Sequence, residues 1–225
     1  MLFEILVAAG SYYAYRHFAK AGKARPSASS HKRRSDAIGA AGEAVAQAKL
    51  RKTLYWLCGN DFYLHEGPLI IEHAPGTDFP TAEIDHLAVT PFGVFIFETK
   101  NWSGHIAPSD ASGKLTRTAP DGQREDRRSP IDQNRSKIGF LRNQLPPMWP
   151  VDAAGLFTSD EAVLDPRLPA DLISLDELPL WLRMRRDAFQ GMRPVSIAHA
   201  RAAVLLYADG SPAALKRHKS FVSFR

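Results

Sequence analysis

Cysteine is almost missing from this sequence: Cys58 is the single one among 225 residues. That excludes an internal disulfide and any multi-thiolate zinc site, and it accords with a reducing compartment. Cys58 follows Trp56 and Leu57 at the end of a helical-looking run and reads as a small buried apolar residue rather than a nucleophile. A long hydrophobic run is missing too. Residues 2–18, LFEILVAAGSYYAYRHF, are mostly apolar but shorter than the roughly 20 residues that span a bilayer, and Glu4 interrupts them. No basic stretch precedes them and no cleavage signature follows, which argues against a secretory signal peptide. A surplus of charge is missing from most of the chain as well. Residues 1–40 carry seven basic side chains against Glu4 and Asp36, so the whole formal charge of +5 lies there and residues 41–225 are neutral overall. The net charge of the domain therefore says nothing about nucleic acid.

The remaining composition, 44% hydrophobic and 24% charged, is that of a globular protein with a real core. Three parts are expected. Residues 1–18 form an apolar segment, either a membrane anchor with the following chain on the cytoplasmic side or an amphipathic helix lying on a membrane or on the domain. Residues 19–35 read as a basic flexible linker, in which His31-Lys32-Arg33-Arg34 is a solvated run. Residues 36–225 form the domain, placed in the cytoplasm.

Within the domain, Asp36 to Leu57 carries apolar residues at Ile38, Ala41, Val45, Ala48 and Leu50, a helical spacing with Ser35 or Asp36 as N-cap. Phe62 to His73 is β-rich around an interruption at Gly67-Pro68. Glu83–Thr90 and Val94–Lys100 are strand signals separated by the turn Pro91-Phe92-Gly93. The second is apolar on both faces through Phe97, the mark of a central strand covered on both sides. Lys114–Thr118 suggests a short strand, and Asp121–Ser129 a charged loop. Ile131–Leu145 looks helical and stops at Pro146-Pro147. Glu161–Leu164 and Leu172–Leu175 suggest strands. Asp176–Phe189 suggests a helix capped by Ser174 or Asp176, and Ile197–Tyr207 suits either helix or strand.

Strand alternation makes Glu98 and Lys100 point the same way, at the end of an apolar stretch. Asp85 lies on the partner strand. A Thr90–Gly93 pairing would put it opposite Glu98, and a three-residue loop would put it opposite Thr99. Apposed carboxylates repel unless a cation or a proton relieves them, and oxygen-only ligands favour Mg2+ or Mn2+. A neighbouring lysine orients a water or stabilises developing phosphorane charge. Asp, then Glu-x-Lys on the next strand, is thus a workable site for metal-assisted phosphodiester hydrolysis. A surface salt bridge to Lys100 is the competing explanation.

The runs Glu83-Ile84-Asp85-His86-Leu87-Ala88-Val89 and Gly93-Val94-Phe95-Ile96-Phe97-Glu98-Thr99-Lys100-Asn101-Trp102-Ser103-Gly104 resemble the heart of the NERD (nuclease-related) domain, of the PD-(D/E)XK nuclease superfamily. Gly39-Ala40-Ala41-Gly42-Glu43 resembles that family's glycine-glutamate helix motif, and Pro130-Ile131-Asp132-Gln133-Asn134 its proline-to-glutamine motif. The four motifs stand in the family's order over residues 39–134, and the match thins beyond about 185. Ser129 departs from the asparagine expected before Pro130.

The resemblance implies an α/β fold with a restriction-endonuclease-like core, a mixed central β-sheet flanked by helices. It implies that Asp85 and Glu98 hold Mg2+ (or Mn2+) and that Lys100 serves the attacking water. Glu43 would be a further metal ligand or water-binding carboxylate, and Gln133 would approach from the later helix. The expected activity is metal-dependent cleavage of nucleic acid, with DNA favoured over RNA. The alternatives are a non-catalytic nucleic-acid-binding module and a membrane-surface interaction module acting through residues 2–18. Gly39 and Gly42 each weaken a helix, which close packing or room for substrate would explain. His86 reads as structural, Trp102 as a core or rim aromatic. Arg124, Arg127 and Arg128 read equally as phosphate contacts or as a solvated loop paired with Glu125 and Asp126.

Overall fold

The structure, a computed structural model, describes residues 28–223, with side chains from 36 to 221. Residues 2–18 and most of the linker expected over 19–35 lie outside the described residues. The chain divides at Ile38/Gly39 into two compact units. Among the described residues no helix is long and apolar enough to cross a membrane.

The first helix, α1 (Ala28–Cys58), begins earlier than expected. Ser35 and Asp36 therefore lie within it and do not cap it, and residues 28–35 are helical rather than linker. The reason is local: no proline or glycine stands between Ala28 and Ile38, and Ala, Lys and Arg favour helix. Its buried positions Ala46, Leu50 and Leu54 recur every fourth residue and form the face that meets the core.

Three sheets follow. The central one has the order β1 (Tyr63–Leu64), β4 (His86–Thr90), β5 (Gly93–Lys100), β9 (Val151–Phe157), β11 (Leu172–Ser174). β4 and β5 are antiparallel, whereas β5, β9 and β11 run parallel, so the sheet is mixed and β5 is its middle strand. The second sheet has the order β10 (Ala162–Leu164), β6 (Gly104–Pro108), β7 (Lys114–Thr118), β8 (Arg124–Arg128). The third joins β12 (Ala208–Asp209), β2 (Leu69–Glu72) and β3 (Thr81–Ile84). Residues Arg124–Arg128, expected in a loop, are thus a strand. Cross-strand pairs explain this: Arg117 and Glu125 face each other and their side chains join at 2.7 Å, so opposite charges support the ladder. β6 and β9 were not anticipated.

Helix α2 (Pro130–Gln144) starts with proline at its first turn and ends before Pro146, which disfavours continuation. Helix α3 (Leu178–Ala188) starts later than expected, with Glu177 at the cap position and no side-chain cap. Ser174, one expected cap, instead donates its N–H and hydroxyl to Glu177. Residues Ile197–Leu205 resolve as helix α4, capped by Ser196, and α5 spans Pro212–Ser223. Trp181 of α3 meets Phe95 and Phe97 edge-on, with ring centroids 5.8 and 5.9 Å away. On the other face α2 lies against β5 and β9. The result is an α/β fold with a restriction-endonuclease-like core.

Candidate functional site

Thr90 pairs with Gly93 and His86 with Phe97. The loop therefore holds two residues, Pro91 and Phe92, and the position opposite Glu98 is Asp85. Of the two registers the sequence allowed, this is the one that brings the carboxylates to one face. Asp85 is the single residue between β3 and β4, which belong to different sheets. At this bend its side chain turns back to the hairpin, where Oδ2 accepts the Thr99 backbone N–H at 2.8 Å.

Glu98 is buried, 6% exposed, and each of its oxygens meets an ammonium. Lys100 donates to Oε1 at 2.7 Å and Lys137 to Oε2 at 2.6 Å. Lys137, 4% exposed, is the residue that sequence reasoning missed. It lies on α2 one turn beyond Gln133, hence on the same helix face. The helical spacing of Gln133 and Lys137 could have raised it, but a lysine mid-helix reads as solvent-facing by default. What lets α2 come so close is Gly155, which pairs with Glu98 across β5 and β9. A Cβ there would stand 2.5 Å from Pro130 Cβ and 2.7 Å from Leu172 Cδ2.

Electrostatics separates the two acids. Burial and the Glu98 charge push the Asp85 carboxyl up to about 7. Burial also acts against ionised Glu98, but Lys137 and Lys100 outweigh it and hold its carboxyl below the usual glutamate range. One acid is thus held charged and the other resists charge, a division found where carboxylates do different work.

Glu43 projects from α1 as an exposed residue. Burial of part of its carboxyl and the charge of Glu83 raise its pKa, Glu98 adds to this, and Lys219 and Lys100 oppose it. It shares the field of the pair without a direct hydrogen bond to Asp85 or Glu98. Among the described residues no group of three or more His, Cys, Asp or Glu is arranged to hold a metal ion. Gln133 stands in the first turn of α2, its N–H bonded to the Ser129 carbonyl at 3.0 Å. Its Oε1 is buried and has no hydrogen-bond partner among the described residues. Ser129, where asparagine was expected, donates its N–H to the Gly113 carbonyl at 2.8 Å and gives the helix no side-chain cap.

The neighbouring residues divide as follows. His86 is 3% exposed and faces away from the acids. Its Nδ1 meets Gln47 Oε1 at 2.8 Å and its Nε2 meets Thr99 Oγ1 at 3.0 Å. Burial lowers its pKa to about 4, so it ties α1 to β5 as a neutral ring. Gly42 is required by packing, since a Cβ there would stand 2.7 Å from Thr158 Oγ1 and 2.8 Å from Asn101 Cβ, whereas among the described residues nothing lies within 4 Å of one at Gly39. Trp102 packs edge-on against Phe157 at 5.7 Å, with the Arg127 guanidinium 5.1 Å over its ring. Arg127 and Arg128 also pair with Glu125 and Asp132, each at 2.7 Å. Cys58 is partly buried, and burial together with Asp61 pushes its thiol up to about 11, far from a thiolate nucleophile.

The arrangement is that of a small polar centre at the end of a buried strand, with acids and ammonium groups in one cluster. No curated protein and no solved structure matches the chain, but the family model of the nuclease-related domain matches residues 38–158. That span contains β4, β5, α2 and all of Glu43, Asp85, Glu98, Lys100, Gln133 and Lys137, and the chain belongs to the nuclease-related domain (NERD) family.

Proposed function

We propose that this domain hydrolyses phosphodiester bonds in nucleic acid, DNA in preference to RNA, at a divalent-metal site on Asp85 and Glu98. The observation that carries the reading is the meeting of Asp85, Glu98, Lys100 and Lys137 at the end of β5. Magnesium or manganese suits these residues. The donor set is oxygen only, and magnesium is commonly held by one or two protein carboxylates while keeping several waters. The Asp85 carboxyl, raised by burial and by Glu98, gains from a cation beside it. The buried Gln133 Oε1 is an acceptor with no partner among the described residues. Asp85 and Glu98 would hold the metal, with Gln133 and Glu43 approaching from α2 and α1. Bound there, it would supply Lewis-acid stabilisation of charge on the phosphate.

The chain's own residues do the rest. The Thr99 N–H fixes one oxygen of Asp85. Lys137 keeps Glu98 ionised and oriented. Lys100, on the same face and less enclosed than Lys137, positions the attacking water and balances the charge that grows on the phosphoryl oxygens.

The test is a cleavage assay on mixed DNA and RNA substrates with magnesium or manganese, run beside Asp85→Ala. The wild type is expected to cleave with metal, and the variant to lose that activity while keeping its fold. A folded wild type that cleaves neither substrate with either metal would leave a nucleic-acid-binding module in its place.

A further inference from the structure

We infer that the exposed face of the β7–β8 hairpin is a docking surface for the phosphate backbone of a nucleic-acid duplex. This rests on the proposed function and adds to it where the substrate is held and in which form. Of the three arginines whose role the sequence left open, Arg127 turns inward: it pairs with Glu125 at 2.7 Å, and its guanidinium lies over the Trp102 ring. Strand alternation puts Arg124 and Arg128 on the opposite side of β8. The register brings Lys114 opposite Arg128, Thr116 opposite Asp126 and Thr118 opposite Arg124. The Thr116 hydroxyl donates to Asp126 at 2.7 Å, which assigns these residues to one face, and Lys114, Arg124, Asp126 and Arg128 are exposed. One end of this face rests on the first turn of α2. The Gly113 carbonyl accepts the Ser129 N–H at 2.8 Å, a Cβ on Gly113 would stand 3.1 Å from Asp132 Cγ, and Arg128 Nε donates to Asp132 at 2.7 Å. Gln133 is the next residue of α2, and Lys137, one turn on, donates to Glu98. The hairpin is therefore fastened to the helix that closes the acidic centre.

The charge on this face is unbalanced. Asp126 is the one carboxylate that β7 and β8 place there, and it already accepts from the Thr116 hydroxyl and, at 3.0 Å, from that of Ser109. Arg128 is shared with Asp132. The side chains of Lys114 and Arg124 make no hydrogen bond or ion pair among the described residues, and Asp126 acts on them only through its charge. Arg124 and Arg128 are four residues apart, about 13 Å along a strand. A duplex carries one phosphate charge per about 1.7 Å of its axis, so a face of this length meets several. Neither strand contains Phe, Tyr or Trp. The face thus offers cations and threonine hydroxyls to phosphate oxygens, contacts that position a duplex without reading its sequence, and no platform on which unpaired bases would stack. That combination favours paired strands. The neutral balance of residues 41–225 gives no general attraction for nucleic acid, so a local group of cations has to supply it.

The experiment uses the full chain in metal-chelating buffer, with a labelled double-stranded DNA oligonucleotide and one of its single strands, and follows affinity against salt concentration. For Lys114→Ala/Arg124→Ala we expect weaker duplex binding and a log–log salt slope smaller by about 2, close to one for each cation–phosphate pair removed. Lys114→Arg/Arg124→Lys should keep the wild-type slope. Arg183→Ala/Arg193→Ala, which removes two charges elsewhere, should leave it unchanged. Unchanged affinity and slope in Lys114→Ala/Arg124→Ala, an equal loss in Arg183→Ala/Arg193→Ala, or tighter binding of the single strand than of the duplex overturns the inference. Cleavage by the same wild-type preparation in magnesium is scored separately, so the docking face can fail while the nuclease reading stands, and the reverse.

Discussion

Lys137 and Glu98, 39 residues apart in the chain, meet at 2.6 Å where both are almost fully enclosed. A buried pair of this kind contributes little relative to a hydrophobic filling, but removing one partner leaves a charge that water no longer reaches. Here Lys100 still answers the other Glu98 oxygen. We expect Lys137→Met to lower stability by about 3 kcal/mol. Adding Glu98→Gln to it should cost less than the sum of the two single changes. Urea unfolding of the four proteins checks this. Additive losses would show that the two side chains do not depend on each other.

Asp85 gives a pH-dependent prediction. Its folded-state pKa is about 7, above the ordinary value of 3.8, so between these values the folded chain holds a proton that the unfolded chain has released. Stability is therefore lost as pH rises from about 4 to about 7 and stays low above it. Asp85→Asn keeps an acceptor for the Thr99 N–H and removes the charge. Without metal it should be more stable than wild type at pH 8, by up to about 4 kcal/mol, with the gain vanishing toward pH 4. Added magnesium should narrow the gap by stabilising the wild type alone. Melting curves at pH 4 and pH 8, each with and without magnesium, measure it. A variant less stable than wild type throughout would mark Asp85 as structural.

For catalysis, Glu98→Gln and Lys100→Ala should each reduce metal-dependent cleavage by at least about 10²-fold, the scale of a positioned proton-transfer or charge-stabilising group. Circular dichroism at matched concentration establishes that the fold is retained. Turnover close to wild type in either folded variant removes that residue from the mechanism.

The two glycines of α1 should respond oppositely to alanine. Gly39→Ala meets nothing within 4 Å among the described residues and should stabilise by up to about 1 kcal/mol through helix propensity. Gly42→Ala drives a methyl group to within 2.7 Å of Thr158 Oγ1 and 2.8 Å of Asn101 Cβ, where overpacking of about 1–3 kcal/mol outweighs that gain. Thermal unfolding of both variants settles the sign. A gain at both positions would mean that the turn after β5 yields freely.

By itself the sequence determined which side chains share a face. Alternation along Val94–Lys100 puts Glu98 and Lys100 together, the unbroken apolar run makes β5 a central strand, and four short motifs in order identify the family over 39–134. These are local properties, carried by backbone geometry and neighbouring residues. Only the tertiary structure decided the rest. The two-residue loop at Pro91-Phe92 selected the register that places Asp85 opposite Glu98. β9 was not legible because Val151–Phe157 is buried almost throughout, and a short apolar run of that kind carries no period. Lys137 was not legible because its burial depends on Gly155 admitting Pro130 and the first turn of α2 against the strand beside Glu98. The charge of a side chain is written in the sequence, but the dielectric around it and the partner it meets are set by packing between segments far apart in the chain.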